Sequence, residues 1–240
     1  MAETALFRVV RYTEMDKEEY PRRLRTIASP PEGLYYSGDI RIANQRQGIA
    51  VVGSRRVSKS GMEMAYHIGY ALGKKGFNVV NGLALGCDTH ALYGALAAGA
   101  ACVAVLPCGL ERVVPHSNRG LAQRIVSGGG CLVSEYPPSA PAQRYQYVHR
   151  DRIQSGLCGG VIVIEAAIDS GTMHTVRYAM RQGRLLACVD SRLVQDASGN
   201  QWMERQGSVR VIRDTEDLDL FLAKVQRPPA CRQIRLEDGI

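Results

Sequence analysis

A chain of 240 residues with 45% hydrophobic side chains is long enough for one sizeable α/β core with appendages, which excludes a small disulfide-stapled scaffold. Lys and Arg number 30 against 23 Asp and Glu, and the formal charge of +7 favours polyanionic partners over cationic ones without requiring nucleic acid. Seven cysteines, with no CxxC or Cys/His spacing, read as reduced thiols packed as small hydrophobes, and neither a metal nor another cofactor is expected.

The opening stretch "MAETALFRVVRYTEMDKEEY" is charged throughout. It has no long apolar core, so it reads as neither signal peptide nor membrane span, and a cytoplasmic location is expected. Residues 1–48, with "YPRRLRTIASPPEGLYYSGDI", are basic and proline-punctuated and read as a lead-in segment packed on the core. From residue 49 onward, β-branched runs alternate with stretches of helical period. "IAVVG" (49–53), "FNVVN" (77–81), "ACVAVL" (101–106), "CLVS" (131–134), "GVIVIEA" (160–166) and "RLLACV" (184–189) are near-continuous apolar segments of strand length. Such runs suit strands covered on both faces, and the spacers between them are long enough for crossover helices.

Helix signals agree with that rhythm. Ser58 or Ser60 can cap a helix through "GMEMAYHIGYALGKKG", Ser117 can open "NRGLAQRIVSGGG", and Thr172 can open "MHTVRYAMRQG". A last strand "SVRVI" (208–212) and a short helix in "DTEDLDLFLAKV", capped by Asp214 or Thr215, close the pattern. The expected fold is α/β: a Rossmann-like, doubly wound, mostly parallel sheet in a single domain over residues 49–215, with the 1–48 lead-in and a 216–240 tail.

In an open parallel sheet ligands bind beyond the carboxyl ends of the strands, so the loops there carry the chemistry. "GSRRVSKSG", "NGLALGCD", "PCGLERVVPHSN", "EYPPSAPAQRYQYVHRDR" and "EAAIDSGT" follow successive strands. Their glycines, hydroxyls and arginines describe a basic, anion-binding rim, because glycine admits backbone N–H groups to an oxyanion and arginine forks onto phosphate oxygens. No GxxxxGK[ST] loop and no GxGxxG fingerprint is present, which disfavours ordinary ATP or NAD binding. Gly53, Ser54 and Arg55 sit on the carboxyl edge of the first core strand. Ser170, Gly171 and Thr172 serve equally as a helix cap or as phosphate contacts. Asp88 reads as a cap of the following helix, and His67, His90, His116 and His174 have no evident catalytic partner. The richest loop, "QRYQYVHRDRIQSG", interleaves Arg144, Arg150 and Arg152 with Tyr145 and Tyr147, pairing cations for phosphates with aromatic faces for bases.

"GSR", "NGLALGCD", "AVLPCGL" with P-H-S-N, "SEYPP", "RDRI-SGL", "VIEA---SGT--T---A" and "GR", in this order, resemble the Rossmann-like core of the DNA-processing protein A family (DprA, also called Smf). The likeness runs from "YPRRL" at residue 20 to "GSVRVI" at residue 212. It implies single-stranded DNA binding, protection of that DNA from nucleases, hand-over to a RecA-type recombinase in natural transformation or recombination, and a homodimer. It also implies a phosphate pocket on Gly53, Ser54, Arg55, Gly82, Arg150, Arg152, Ser170, Gly171 and Thr172, with Arg144 and Tyr147 added from the composition of their loop. Departures from the family pattern are Asp151 in place of Asn, Tyr147-Val148 in place of Phe-Pro, Leu92 in place of His, and "VDS" in place of Pro-Gly. At this length no room is expected for an N-terminal helical domain or a C-terminal winged helix, so the chain reads as a minimal core.

Two functions follow. The first is a non-enzymatic single-stranded DNA-binding module. The alternative is a nucleotide sensor or nucleotide-processing hydrolase of a related Rossmann-like family. The phosphoribohydrolase signature "PGGxGTxxE" is missing here, and Thr175 stands where its glutamate would. Glu165, at the end of a buried strand, reads as an anchor for neighbouring loops.

Overall fold

The computed structural model describes residues 11–226. Within them nine strands form one sheet: β1 Arg11–Glu14, β2 Gly33–Gly38, β3 Gly48–Val52, β4 Asn78–Asn81, β5 Cys102–Val105, β6 Cys131–Ser134, β7 Gly160–Val163, β8 Leu185–Val189 and β9 Val209–Ile212. Their spatial order is β1-β2-β6-β5-β4-β3-β7-β8-β9. From β6 across to β9 every pairing is parallel, and only β1 with β2 and β2 with β6 are antiparallel. The mostly parallel doubly wound sheet read from the sequence is therefore present.

The helices are α1 Ile42–Gln45, α2 Lys59–Lys74, α3 Cys87–Ala97, α4 Arg119–Ser127, α5 Arg144–Gly156, α6 Thr172–Arg181, α7 Ser198–Glu204 and α8 Thr215–Gln226. They cover both faces of the sheet. Alternate residues of one strand face different cores: Ile49 and Val51 pack with α2, α3, α4 and α8, while Ala50 and Val52 pack with α5, α6, α7 and the lead-in residues Tyr20 and Leu24. Two apolar faces per strand are why these segments read as unbroken hydrophobic runs. Ser58 caps α2, its Oγ accepting from the Gly61 N–H at 3.0 Å, and Asp214 Oδ1 accepts from the Asp217 N–H at 2.9 Å at the start of α8.

Several elements are not legible in the sequence. The lead-in supplies β1 and β2, whose short, aromatic and glycine-flanked segments lack a core-strand pattern. The segment 144–156 was read as a loop and is the helix α5. Its inward face is polar, burying Gln146, Arg150, Asp151, Arg152, Gln154 and Ser155 beside Ile153, so the usual apolar stripe that betrays a helix is missing. The Gln143 N–H donates to Gln146 Oε1 at 2.5 Å and starts it. Residues 227–240 of the expected tail, with Cys231, lie outside the described residues; residues 215–226 form α8 and bury Leu218, Phe221, Leu222 and Val225.

The order of winding positions the site. The chain runs outward from β3 through β4, β5 and β6, then returns to the other side of β3 with β7, β8 and β9. The reversal opens a crevice above the carboxyl ends of β3 and β7, which pair as Val51 with Ile162. Ile162 is fully buried at this seam. Ile162→Ala is expected to cost about 2–5 kcal/mol of unfolding free energy in urea titration, whereas Leu220→Ala, on the exposed face of α8, moves it by less than about 0.5 kcal/mol.

Candidate functional site

A cavity of about 660 Å³ occupies the crevice, lined among others by Gly53, Ser54, Arg55, Tyr147, Arg150, Ser170, Gly171 and Thr172. Eight of the sequence-read site residues thus meet in one place, although they come from two separate loops and from α5. The remaining three do not line it. Arg144 is exposed at the first position of α5, Gly82 lies beneath the floor, and Arg152 faces elsewhere.

The loop after β3 is stitched down at both ends. The Ser54 N–H donates to the Glu165 carbonyl at 2.7 Å, and the Ser54 carbonyl accepts from the Cys87 N–H at 3.1 Å at the start of α3. A Cβ at Gly53 would lie 2.4 Å from Cys87 Sγ, so only glycine allows this approach. Glu165, 1% exposed, accepts from Ser58 Oγ, from the Ser58 N–H at 3.0 Å and from the Gln195 N–H at 3.2 Å. Its carboxylate holds the start of α2 and the loop after β8, as a loop anchor does.

Arg150 forms the floor. Its Nη1 donates to the Val105 carbonyl at 3.0 Å and to Gln154 Oε1 at 2.6 Å, and its Nε lies 3.2 Å from Asp151 Oδ1. The guanidinium rests on Gly82, where a Cβ would stand 1.6 Å from Nη1. Gly82 therefore makes room for an arginine instead of touching a phosphate. Asp88 was expected to cap α3; its Oδ2 instead accepts from the N–H groups of Gly82 and Ala84, at 2.8 and 3.2 Å, and shapes the loop that precedes the helix. Asn118, which sequence reasoning passed over inside "PHSN", pins the same loop from the far side by donating to the Leu83 carbonyl and to Thr89 Oγ1 at 2.9 and 2.8 Å.

At the mouth Arg55 is exposed, and its guanidinium carbon sits 5.0 Å from the centre of the Tyr147 ring. Neither Arg55 nor its neighbour Arg56 has a carboxylate within ion-pair distance among the described residues. Across the cavity α6 begins at Thr172, and the Gly171 and Thr172 N–H groups have no intramolecular acceptor among the described residues. Tyr145, 61% exposed, lies outside the lining, so of the two tyrosines Tyr147 belongs to the site.

Arg152 is different. Its Nη2 donates to Glu135 Oε1 at 2.5 Å, its Nε to the Ser29 carbonyl at 2.9 Å and its Nη1 to the His149 carbonyl at 3.1 Å, tying α5 to the lead-in. The cavity also carries carboxylates that the arginine-rich loops did not announce: Asp88, Asp151, Asp169 and Asp196. Burial pushes Asp88 up to about 6 and Asp151 up to about 7 against the opposing pull of Arg150. Burial likewise raises the thiols of the buried cysteines, Cys108 to about 11 and Cys102, Cys158 and Cys188 to about 12, which leaves them unreactive at neutral pH.

With this geometry in place, comparison with known proteins decides the family. The model of the DNA recombination-mediator protein A family matches residues 11–222. The chain belongs to that family. Protein Smf of Escherichia coli is 35% identical over 205 residues, 85% of this chain and 54% of that protein. DNA processing protein DprA of Streptococcus pneumoniae is 32% identical over 199 residues, 83% of this chain and 70% of that one. Its solved structure superposes with a TM-score of 0.81 at 30% identity, covering 89% of this chain and 75% of that one. DNA processing protein A from Helicobacter pylori, whose structure concerns a single-stranded DNA binding mode, gives 0.80 at 25% identity, covering 89% and 96%. The molybdenum cofactor binding protein of Rippkaea orientalis, covering 75% of this chain and 97% of that one with a TM-score of 0.54 at 17% identity, shares the fold alone. This family member spans about half the length of the Smf proteins it matches, 54% of the Escherichia coli one and 47% of the Synechocystis one. Among its described residues no helix is long and apolar enough to cross a membrane.

The different surroundings of Arg152 and Arg55 separate stability from binding. Arg152→Ala removes the guanidinium partner of Glu135, leaving it His149 Nδ1 at 3.3 Å, and frees the Ser29 carbonyl; it is expected to cost about 3 kcal/mol of unfolding free energy, at the low end for a broken internal pair because Glu135 is partly solvated. Arg55→Ala is expected to leave the denaturation midpoint within about 0.5 kcal/mol of wild type. Chemical denaturation of the two variants side by side is the check.

Proposed function

We propose that the cleft grips the phosphate backbone of single-stranded DNA and that the protein works as a non-catalytic DNA-binding module of the recombination-mediator family. One observation carries the reading: an exposed guanidinium with no carboxylate partner among the described residues, Arg55, is held against the Tyr147 ring at the mouth of the switch-point crevice. A cation beside an aromatic face is what a stacked base and its phosphate need. The N–H groups at the start of α6 that lack an acceptor among the described residues, with Ser170, Gly171 and Thr172, supply a second phosphate contact, and the Ser54 hydroxyl, next to Gly53, lends a donor to the first. Arg150 contributes positive potential from the floor. The named ligand of the Helicobacter pylori relative supports this assignment. Arg152 and Gly82 act behind the site, as a strut and as a seat for Arg150, and Arg144 lies where a continuing strand would meet the rim of α5.

The same reading places this protein with its relatives in DNA uptake or recombination in the cytoplasm, as a homodimer delivering DNA to a RecA-type recombinase. Sedimentation of the purified protein is expected to give twice the chain mass, and single-stranded DNA it coats is expected to be loaded faster by such a recombinase. A nucleotide sensor would instead saturate with mononucleotides and ignore polymer.

Fluorescence anisotropy of a labelled dT oligomer across a salt series, beside duplex DNA, tests the proposal. Binding is expected to favour the single strand and to weaken linearly in log–log form with salt. Arg55→Ala should lower affinity by roughly 1–3 kcal/mol and shrink the salt slope by about 0.7, the value of one phosphate contact on a single strand. An unchanged binding curve for that variant refutes the assignment.

A further inference from the structure

The cleft holds more carboxylate than a phosphate site needs. Arg55, Arg56 and Arg150 share its lining with Asp88, Asp151, Asp169 and Asp196. Asp169 and Asp196 are exposed and keep their water. Asp88 and Asp151 are 5% and 8% exposed, and the one cation buried with them is Arg150, itself 6% exposed. Arg150 commits Nη1 to the Val105 carbonyl and to Gln154, while its Nε faces Asp151 Oδ1 at 3.2 Å without the alignment of a hydrogen bond. Two buried carboxylates against one guanidinium leave an uncompensated negative charge, and an incoming phosphate brings another.

The two acids are not equivalent. Asp88 accepts from two backbone N–H groups, a setting that favours the ionised form. The Asp151 carboxylate accepts from no backbone N–H among the described residues; it has Arg150 beside it, unaligned, and Thr175 of α6 nearby. Once protonated, its carboxyl gains an O–H donor to offer a phosphate oxygen, where the carboxylate could only repel it.

We propose that Asp151 is the proton-accepting residue of this site, taking up one proton as a phosphate enters the cleft, so that anion binding is coupled to pH. This inference rests on reading the cleft as a phosphate site. The groups facing Asp151 are Arg150 and Gln154 from α5, Asp88 from α3, Arg55 from the loop after β3, and His174 and Thr175 from α6. Burial pushes Asp151 up to about 7, and a bound anion moves it higher. The protonated form therefore binds better, and affinity falls as pH rises through that range, by up to about tenfold per unit for one coupled proton.

The test measures affinity for a dT oligomer at fixed ionic strength from about pH 5.5 to about 8.5, which brackets the raised aspartate range, for wild type, Asp151→Asn and His174→Gln. Wild type is expected to lose roughly 5- to 20-fold between the ends of the neutral range. Above about pH 7, clear of the Asp88 range, Asp151→Asn should give a flat profile and bind more tightly than wild type at the alkaline end, and His174→Gln should keep the wild-type slope. Calorimetry in two buffers of different ionisation enthalpy should count about one proton taken up by wild type and none by Asp151→Asn. Melting of Asp151→Asn at alkaline pH, expected to be no lower than wild type, verifies that the variant folds. Parallel profiles for wild type and Asp151→Asn, or a slope lost in His174→Gln, overturn the proposal and leave DNA binding intact. A wild type that binds no single-stranded DNA at any pH overturns the DNA reading. Dimethyl phosphate, a fixed monoanion like the DNA backbone, followed by NMR then decides the proton coupling by itself: an Asp151-dependent pH slope upholds it, and a slope shared by Asp151→Asn sinks it.

Discussion

The burial of the Arg150 guanidinium is the constraint from which the cleft is built. A buried cation must be met by hydrogen-bond acceptors and opposing charge or it will not stay. Here they come from separated parts of the chain: the carbonyl at the end of β5, Gln154 one helical turn further along α5, and Asp151 beside it, with Asp88 across from the loop after β4. Gly82 gives up a side chain so that the guanidinium can lie flat on its backbone. One long side chain thereby ties α5 to the crest of the parallel sheet. The floor it makes is rigid and carries charge.

Glu165 performs the corresponding task on the opposite wall. Its carboxylate gathers the start of α2 and the loop after β8, while its own backbone carbonyl receives the N–H of Ser54. Between these two anchors the loop after β3 has no freedom, and Arg55 emerges from it at a fixed point over Tyr147. The polar residues of the region divide by their surroundings. Those with full sets of partners, Glu165, Arg152 and Asn118, hold the walls; Arg55, Arg56 and the first N–H groups of α6 face the opening with their capacity for an anion unspent. The carboxylates interposed among them moderate what would otherwise be a purely basic cleft and give it a titratable element.

The core strands and most helices could be read because their physics is local. A strand with helices on both faces must be apolar on both, and caps such as Ser58 satisfy N–H groups a few residues away. The site residues on the strand ends were legible for the same reason, since the direction of a parallel strand tells which end carries ligand. The helix α5 escaped because its buried face is a network of polar groups, each paired with something distant in sequence. Arg150 and Arg152, two residues apart and alike in sequence, part company there: they leave the helix in different directions, one toward the sheet crest and the other toward Glu135 and Ser29. The acids of the cleft escaped because a carboxylate's effect depends on what it is buried with.

By itself, then, the order of apolar runs and turn residues determined a doubly wound parallel sheet, the edge on which its crevice opens, and the presence of Gly53, Ser54, Arg55 and the 170–172 loop on that edge. Only the folded chain decided which arginines face the opening, that Gly82 seats a side chain, and that two aspartates share one guanidinium. Hydrophobic periodicity and capping act over a few residues and leave their mark in the local pattern. Hydrogen bonding of buried charged groups acts through space across a hundred residues or more, as from Arg152 to the Ser29 carbonyl or from the Ser58 N–H to Glu165, and it leaves no mark there.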